Sequence, residues 1–124
     1  MRVPANIGQR IIPVLIAVML LFGSAGSLCA EGIYVRNYKT EKSSDVFKVY
    51  ITGVGNGYTW ASGMNAQFKQ KELFCLPPDF VSDHETYIKI IDNYIAKAPA
   101  IKEDMPIELA LLYGMQRSYP CNRK

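Results

Sequence analysis

The apolar residues between Ser44 and Met64 recur at helical spacing and predict one long helix. Steps of three, four and seven positions connect Phe47, Tyr50, Ile51, Val54, Tyr58, Ala61 and Met64. Ser43 or Ser44 can cap the start of this helix, and Asp45 in the first turn is favourable beside the positive end of the helix dipole.

Two further helices are predicted in the second half of the chain. Ser82 and Glu85 have the spacing of a capping box. The apolar stripe behind them, which Pro99 closes, consists of Tyr87, Ile88, Ile91, Tyr94, Ile95 and Ala98. Asp104 can cap a last helix with the apolar positions Ile107, Ala110, Leu111 and Gly114. The sequence has no alternating strand pattern, so we expect an all-α fold: a small single-domain bundle of three to four helices, the fourth a short one within residues 31–42.

Glycines stand at alternate positions within the first long helix, in the stretch TGVGNGYTW. A dinucleotide-binding loop would need a strand before it, and a P-loop would need Lys and Ser/Thr after the last glycine, where Tyr58 and Thr59 stand. Each glycine inside a helix costs roughly 1 kcal/mol relative to alanine. Gly53 and Gly57 share one helical face, so we predict that they are packing positions at which another helix approaches closely.

The beginning of the chain has the order of a secretory signal peptide: a basic head with two arginines, a short apolar run and then small residues. The apolar run is shorter than the roughly 20 residues that cross a bilayer, although mild apolarity up to Ala30 leaves a retained anchor as the alternative. We therefore predict that residues 1–30 are a signal peptide cleaved after Ala30, with Ser27 as the competing site. Residues 31–45 carry no clear pattern, and residues 46–121 form the helical domain.

Removal of the signal peptide changes the charge balance and the cysteine count. The 14 basic residues fall to 12 against 11 acidic ones, so the formal net charge falls from +3 to +1. This balance gives no reason to expect nucleic acid as a partner. Cys75 and Cys121 remain, and an even number of cysteines in an exported chain predicts a disulfide. The chain-entropy model gives such a bridge a stabilisation of about 4 kcal/mol.

Few side chains are candidates for catalysis or metal binding. Cys75 and His84 could form a thiol nucleophile and its base, but a cysteine with one available partner in an oxidising compartment is expected to be bridged. Asp79, Asp83 and Glu85 crowd around His84 and could hold a metal, yet acidic residues are usual at a helix start. From the residues alone we expect no enzyme, no cofactor and no metal site.

Four short motifs follow one another along the predicted helical domain. They are Tyr-x-x-Gly-x-x-x-Gly-Tyr from Tyr50 to Tyr58, Phe-Cys-x-Pro from Phe74 to Pro77, Tyr-Ile-x-x-x-Pro from Tyr94 to Pro99, and the closing Tyr119-Pro120-Cys121. In this order they resemble the Rap/Tai immunity protein family, which often has Phe-Pro-Cys at the last motif. The resemblance covers about residues 46–121.

The resemblance implies a function in defence against a toxin. Rap/Tai proteins protect type VI secretion bacteria from amidase effectors that cut peptidoglycan. By this resemblance we expect a periplasmic protein, often a homodimer, that inhibits an amidase by occluding its active site, with membrane contact only through the signal segment. The alternative is a general periplasmic binding or stress protein of the same fold with no toxin partner.

The charged loop at residues 97–106 is the candidate contact site for an amidase. An inhibitor of a cleft needs a protruding segment that does not carry the fold, and loops commonly supply such segments. Ile101 could enter an apolar pocket of the amidase, while Lys102 and Glu103 could make the polar contacts that fix the register. The turn from Leu76 to Ser82 is the rival contact site.

Overall fold

The computed structural model describes residues 32–98 and 100–121, and these residues form four helices. In chain order they are α1 (Val35–Glu41), α2 (Asp45–Gln67), α3 (His84–Lys97) and α4 (Ile107–Ser118). The described residues contain no β-strand, only an isolated antiparallel bridge between Tyr34 and Pro106. The all-α prediction is therefore confirmed, and α1 is the short fourth helix.

The chain divides after Glu31, and the unit Gly32–Lys124 contains all of the described residues. The predicted signal peptide, residues 1–30, lies outside the described residues, as does Pro99. None of the four described helices is both long and apolar enough to cross a membrane.

Helix α4 is the element that the other helices share. It packs most extensively against α3 and also contacts α1 and α2, while α2 packs against α3 as well. The side chains that these contacts bury form one apolar cluster: Tyr38, Phe47, Ile51, Phe74, Tyr87, Ile90, Ile91, Ile107, Ala110, Leu111 and Met115. Complete burial of one large apolar side chain stabilises a fold by about 1.5–3 kcal/mol, so this cluster is the main source of stability.

The starts of α2 and α3 are fixed by side-chain caps. Ser44 Oγ accepts a hydrogen bond from the Phe47 N–H at 3.1 Å, which makes Ser44 the cap of α2. At α3 the cap is Asp83, whose carboxylate accepts from the Thr86 N–H at 2.8 Å. The predicted capping box at Ser82 is therefore wrong by one position, because serine and aspartate are both strong caps and stand next to each other.

The start of α4 is fixed by main-chain contacts instead of a cap. The N-cap position is Pro106, which has no side-chain capping bond, so the predicted cap at Asp104 is wrong. The Ile107 N–H donates to the Ile33 carbonyl at 2.9 Å. The segment before α1 thus satisfies a donor that a capping side chain satisfies in most helices.

Within the glycine cluster of α2, Gly55 is the residue that packs against another helix. The prediction that Gly53 and Gly57 are the packing positions is wrong for contacts among the chain's own helices. Gly55 is buried, and a Cβ atom there would overlap the ring of Tyr87, lying 2.6 Å from its Cε1. Gly53 and Gly57 are exposed, and a Cβ on either would meet no atom within 4 Å. Positions two apart on a helix point to different sides, so burial of Gly55 turns the other two glycines outward.

Candidate partner-binding surfaces

The predicted disulfide is present and joins the α2–α3 connection to the chain after α4. Cys75 and Cys121 are bonded, with their Cα atoms 4.9 Å apart. The Cys75 N–H also donates to the Tyr119 carbonyl at 2.9 Å, so main-chain and covalent ties coincide. Cys75 is therefore not a free nucleophile that His84 could activate, and Glu72 Oε2 lies 3.4 Å from its sulfur.

Ser62 of α2 also holds the α2–α3 connection in place, although the sequence patterns did not single out this residue. Ser62 Oγ accepts from the N–H groups of Leu73 and Phe74 at 3.1 and 3.3 Å and donates to the Phe74 carbonyl at 2.8 Å. Ser62 is only 4% exposed, so these bonds form away from water. Its position among apolar residues of a helix gave no sequence signal for this role.

The rival contact turn, Leu76–Ser82, is fixed by an aromatic side chain. Phe80 packs edge-on against Tyr119 with 5.4 Å between ring centroids, and it also contacts Tyr87. Val81 next to it is 59% exposed. The turn therefore presents the small apolar side chain of Val81 to solvent, next to the packed ring of Phe80.

One group of potential metal ligands surrounds the disulfide. Glu72, Cys75 and Cys121 bring their ligand atoms within 4.8 Å of one another, but the two sulfurs are bonded to each other and offer no thiolate. Of the acidic residues predicted around His84, Asp83 is engaged in capping. Hydrogen bonds from the Thr86 backbone and side chain hold the pKa of the Asp83 carboxyl below its ordinary value.

The predicted contact loop is anchored to the first turn of α1. The Val35 N–H donates to the Met105 carbonyl and the Arg36 N–H to the Glu103 carbonyl, both at 3.0 Å. Within the loop, the Met105 N–H donates to the Lys102 carbonyl at 3.0 Å. The free donors at the start of α1 thereby fix the path of the loop backbone.

The three predicted contact residues lie in this anchored loop. Lys102 and Glu103 are exposed, and Ile101 is half-buried. The loop therefore presents a cation and an anion side by side, on a backbone that other parts of the chain hold in place. Ile101 is less available than the sequence suggested, because its own chain already covers part of it.

A second exposed surface is apolar and runs along α2 to Phe68, the residue directly after the helix. Its side chains, with their exposed fractions, are Val46 (81%), Val49 (76%), Tyr50 (37%), Trp60 (75%), Met64 (46%) and Phe68 (65%). No charged residue occurs in the sequence from Val49 to Phe68. Monomeric proteins seldom leave a large contiguous apolar patch in water, so this surface is a candidate for contact with another molecule.

Polar contacts to Glu108 on α4 fix the edge of this surface. The Tyr50 hydroxyl donates to the Glu108 carboxylate, and the Tyr58 hydroxyl donates to the Glu108 carbonyl at 3.2 Å. Partial burial, followed by the nearby carboxylate, raises the pKa of both tyrosines above the ordinary value. The hydrogen bond to Glu108 keeps the ring of Tyr50 at the border between the core and solvent.

The described residues thus offer a charged loop anchored on α1, a supported turn beside the disulfide, and an apolar face on α2. A functional assignment has to rest on these surfaces and on the order of the sequence motifs. Comparisons of the chain with protein-family models, with curated proteins and with solved structures found no match.

Proposed function

We propose that the protein is a periplasmic immunity protein, which binds a peptidoglycan amidase effector of type VI secretion and inhibits it by occluding its active site. The order of the four motifs that resemble the Rap/Tai family supports this proposal. The structural observation that carries it is the anchored loop between α3 and α4, which presents Lys102 and Glu103 to solvent. The protein performs no chemistry itself.

Several of the motif residues support this role, because they build the scaffold under the contact surfaces. Phe74 is buried in the core, and Cys75 is bonded to Cys121. Tyr58 ties α2 to α4 through the Glu108 carbonyl. The exposed side chains of Lys102 and Glu103 make none of these scaffold contacts, so they can vary to match an effector while the scaffold keeps its shape.

Occlusion of a cleft benefits from a loop whose path is already fixed. Ordering a side chain at an interface costs about 0.5–1.5 kcal/mol, and ordering a flexible backbone adds to this cost. Because Val35 and Arg36 hold the loop carbonyls, the backbone part of the cost is met when the domain folds. The loop can then fill the amidase cleft and exclude the peptidoglycan substrate.

Two triple-alanine variants test where the amidase binds. One replaces Ile101, Lys102 and Glu103 in the anchored loop, and the matched control replaces Asp79, Val81 and Ser82 in the rival turn. The loop variant should keep its helical circular dichroism and bind a cognate amidase at least tenfold more weakly, about 1.4 kcal/mol, with a parallel loss of inhibition. The control should bind within about twofold of the unchanged protein. Weaker binding in the control alone would assign the contact to the turn.

Export and the existence of a partner are tested separately. Mass spectrometry of the protein recovered from periplasm should show a new N-terminus between residues 28 and 32, and an intact Met1 on membrane-bound protein would indicate an anchor. A pull-down from periplasmic extract that contains the effector should recover an amidase. Repeated failure to recover or inhibit any amidase would refute the immunity function and leave the general binding or stress role.

A further inference from the structure

A cavity lies between the C-terminal halves of α3 and α4. Its volume is about 240 Å³, and the described residues that line it are Asn93, Tyr94, Lys97, Gly114, Arg117 and Ser118. On each helix the first and last of these positions are four residues apart, so one face of each helix borders the cavity. The lining contributed by the described residues therefore carries two cations and no carboxylate.

The crossing of the two helices at Gly114 fixes the shape of this cavity. Gly114 is buried, and a Cβ atom there would lie 2.8 Å from Ile90 Cγ2 and 3.3 Å from Tyr94 Cβ. The close approach of α4 to α3 thus requires glycine at this position. Because the walls are faces of packed helices, little ordering cost remains for a ligand that enters the cavity.

The two cations of the cavity have no ion-pair partner among the described residues. Lys97 and Arg117 are both exposed, and the ion pairs recorded in this part of the chain involve other lysines. The nearest acidic residue along α3 is Asp92, whose carboxylate accepts from Lys42 Nζ and from the Tyr38 hydroxyl. Neither Lys97 nor Arg117 is therefore neutralised by a neighbouring carboxylate.

The helix dipoles account for only part of this arrangement. A cation in the last turn of a helix is favourable on any side of that turn, and Lys97 and Arg117 occupy the last turns of α3 and α4. The dipoles do not explain why both cations line one cavity, where like charges repel each other. An anion between the two cations would turn this repulsion into attraction.

Two neutral donors complete the lining on either side. The Asn93 amide can donate N–H bonds from α3, and the Ser118 hydroxyl can donate an O–H bond from α4. We infer that the cavity binds a small oxyanion, a carboxylate or phosphate group, between Lys97 and Arg117. This inference rests on the cavity and its charges and is independent of the proposed function.

The size and chemistry of the lining define the class of ligand. The Arg117 guanidinium can donate two parallel hydrogen bonds to a carboxylate or a phosphate, while Lys97 acts as a point charge. A water molecule takes up about 30 Å³ in the liquid, so the cavity admits a group of roughly eight non-hydrogen atoms. Inorganic phosphate and a short dicarboxylate such as succinate are both within this size.

Titration with these two anions tests the site directly. Isotope-labelled protein from cells that express the whole chain is titrated with inorganic phosphate and, separately, with succinate. Sodium chloride keeps the ionic strength constant, so that general screening does not change. The backbone amide signals of Gly114, Arg117 and Ser118 should shift in a saturable way with at least one anion, with a dissociation constant of roughly 1 mM. The anion that binds more tightly identifies phosphate or carboxylate as the preferred group.

Three substitutions that each remove one positive charge locate the binding. Arg117→Gln and Lys97→Gln change the cavity, and Arg36→Gln is the matched control, because Arg36 is exposed on α1 and is not part of the cavity lining. Each cavity variant should keep its helical circular dichroism and bind the preferred anion at least tenfold more weakly, since it loses a charge-assisted contact. The control should change the dissociation constant by less than about twofold.

Three results would overturn the inference. The first is the absence of saturable shifts with either anion up to about 50 mM. The second is equal weakening in all three variants, which would indicate attraction by the net charge alone. The third is a loss confined to either Arg117→Gln or Lys97→Gln, because the anion would then not lie between the two cations.

Discussion

Substitution of Gly55 by alanine tests the crossing of α2 over α3. Gly55 is buried, and a methyl group there would overlap the ring of Tyr87. That ring has little room to move, because Tyr87 is fully buried and its hydroxyl donates to Asn56 Oδ1 at 3.0 Å. The added methyl must therefore displace either the ring or the helix.

Two opposing effects determine the magnitude of the change. Alanine is a better helix former than glycine and should stabilise α2 by roughly 0.5–1 kcal/mol. Overpacking of a well-filled core costs typically 1–3 kcal/mol. The net result should be a loss of about 1–2 kcal/mol in the free energy of unfolding, which corresponds to roughly 4–16 °C in Tm for a domain of this size.

Urea unfolding of the disulfide-intact protein, followed by circular dichroism, measures this loss. Gly63→Ala is the matched control, because a Cβ at Gly63 meets nothing within 4 Å. The control should gain roughly 0.5–1 kcal/mol through helix propensity alone. The two substitutions are therefore expected to have opposite signs.

Equal stabilisation by both alanines would refute the reasoning, because it would mean that no side chain faces Gly55. A double-mutant cycle identifies the clashing partner. In a Tyr87→Leu background the overlap with ring carbons is removed, so the cost of Gly55→Ala should shrink or reverse. An unchanged cost in that background would assign the strain to another contact.

Three other predictions concern the α2–α3 connection. Cys75→Ala should lower the free energy of unfolding by about 2–5 kcal/mol, and thiol titration of the unreduced protein should detect neither Cys75 nor Cys121. Ser62→Ala leaves buried main-chain groups unpaired and should cost about 1–3 kcal/mol in urea unfolding, whereas the exposed Ser82→Ala should stay within about 0.5 kcal/mol of the unchanged protein. Because the pKa of Asp83 is lowered in the folded protein, its negative charge stabilises the fold above pH 3.8, the ordinary pKa. This stabilisation is lost as the pH falls through the lowered pKa of the folded state. Asp83→Asn should remove that part of the pH dependence in acid unfolding, and an unchanged profile would contradict the assignment.

The helices were predictable because apolar residues recur at helical spacing along most of the chain. The predicted apolar positions Ile107, Ala110 and Leu111 are all buried in α4. The disulfide was predictable because two cysteines lie outside the predicted signal peptide. These features depend on local pattern and on counting, which need no knowledge of the tertiary contacts.

The core-facing side of α2 was predicted less well, because this helix is uncharged on all sides over most of its length. Tyr50, Ala61 and Met64 are exposed although they follow the apolar repeat, whereas Gly55 and Ser62 are buried. Glycine and serine contribute little to a hydrophobic pattern, so their burial depends on a partner that sequence spacing does not reveal. The same ambiguity concealed the exposed apolar surface along α2 and placed the packing glycines on the wrong face.

The α3–α4 loop is anchored by a segment that has no recognisable sequence pattern. Ile33, Val35 and Arg36 contribute main-chain atoms to it, and main-chain donors and acceptors are the same in almost every residue type. A loop could be predicted between Pro99 and Pro106, but its attachment to α1 could not.

That attachment has a consequence for how the protein is engineered. Main-chain hydrogen bonds connect the start of the helical domain to the loop and to the start of α4. The Ile33 carbonyl accepts from the Ile107 N–H, and the Val35 N–H donates to the Met105 carbonyl. An affinity tag placed directly before Gly32, or a deletion that extends past Ile33, would disturb the loop while most of the helical core stays intact. Such a preparation would pass a circular dichroism check and still misreport partner binding. Tags on this protein therefore belong at the other end or behind a long spacer.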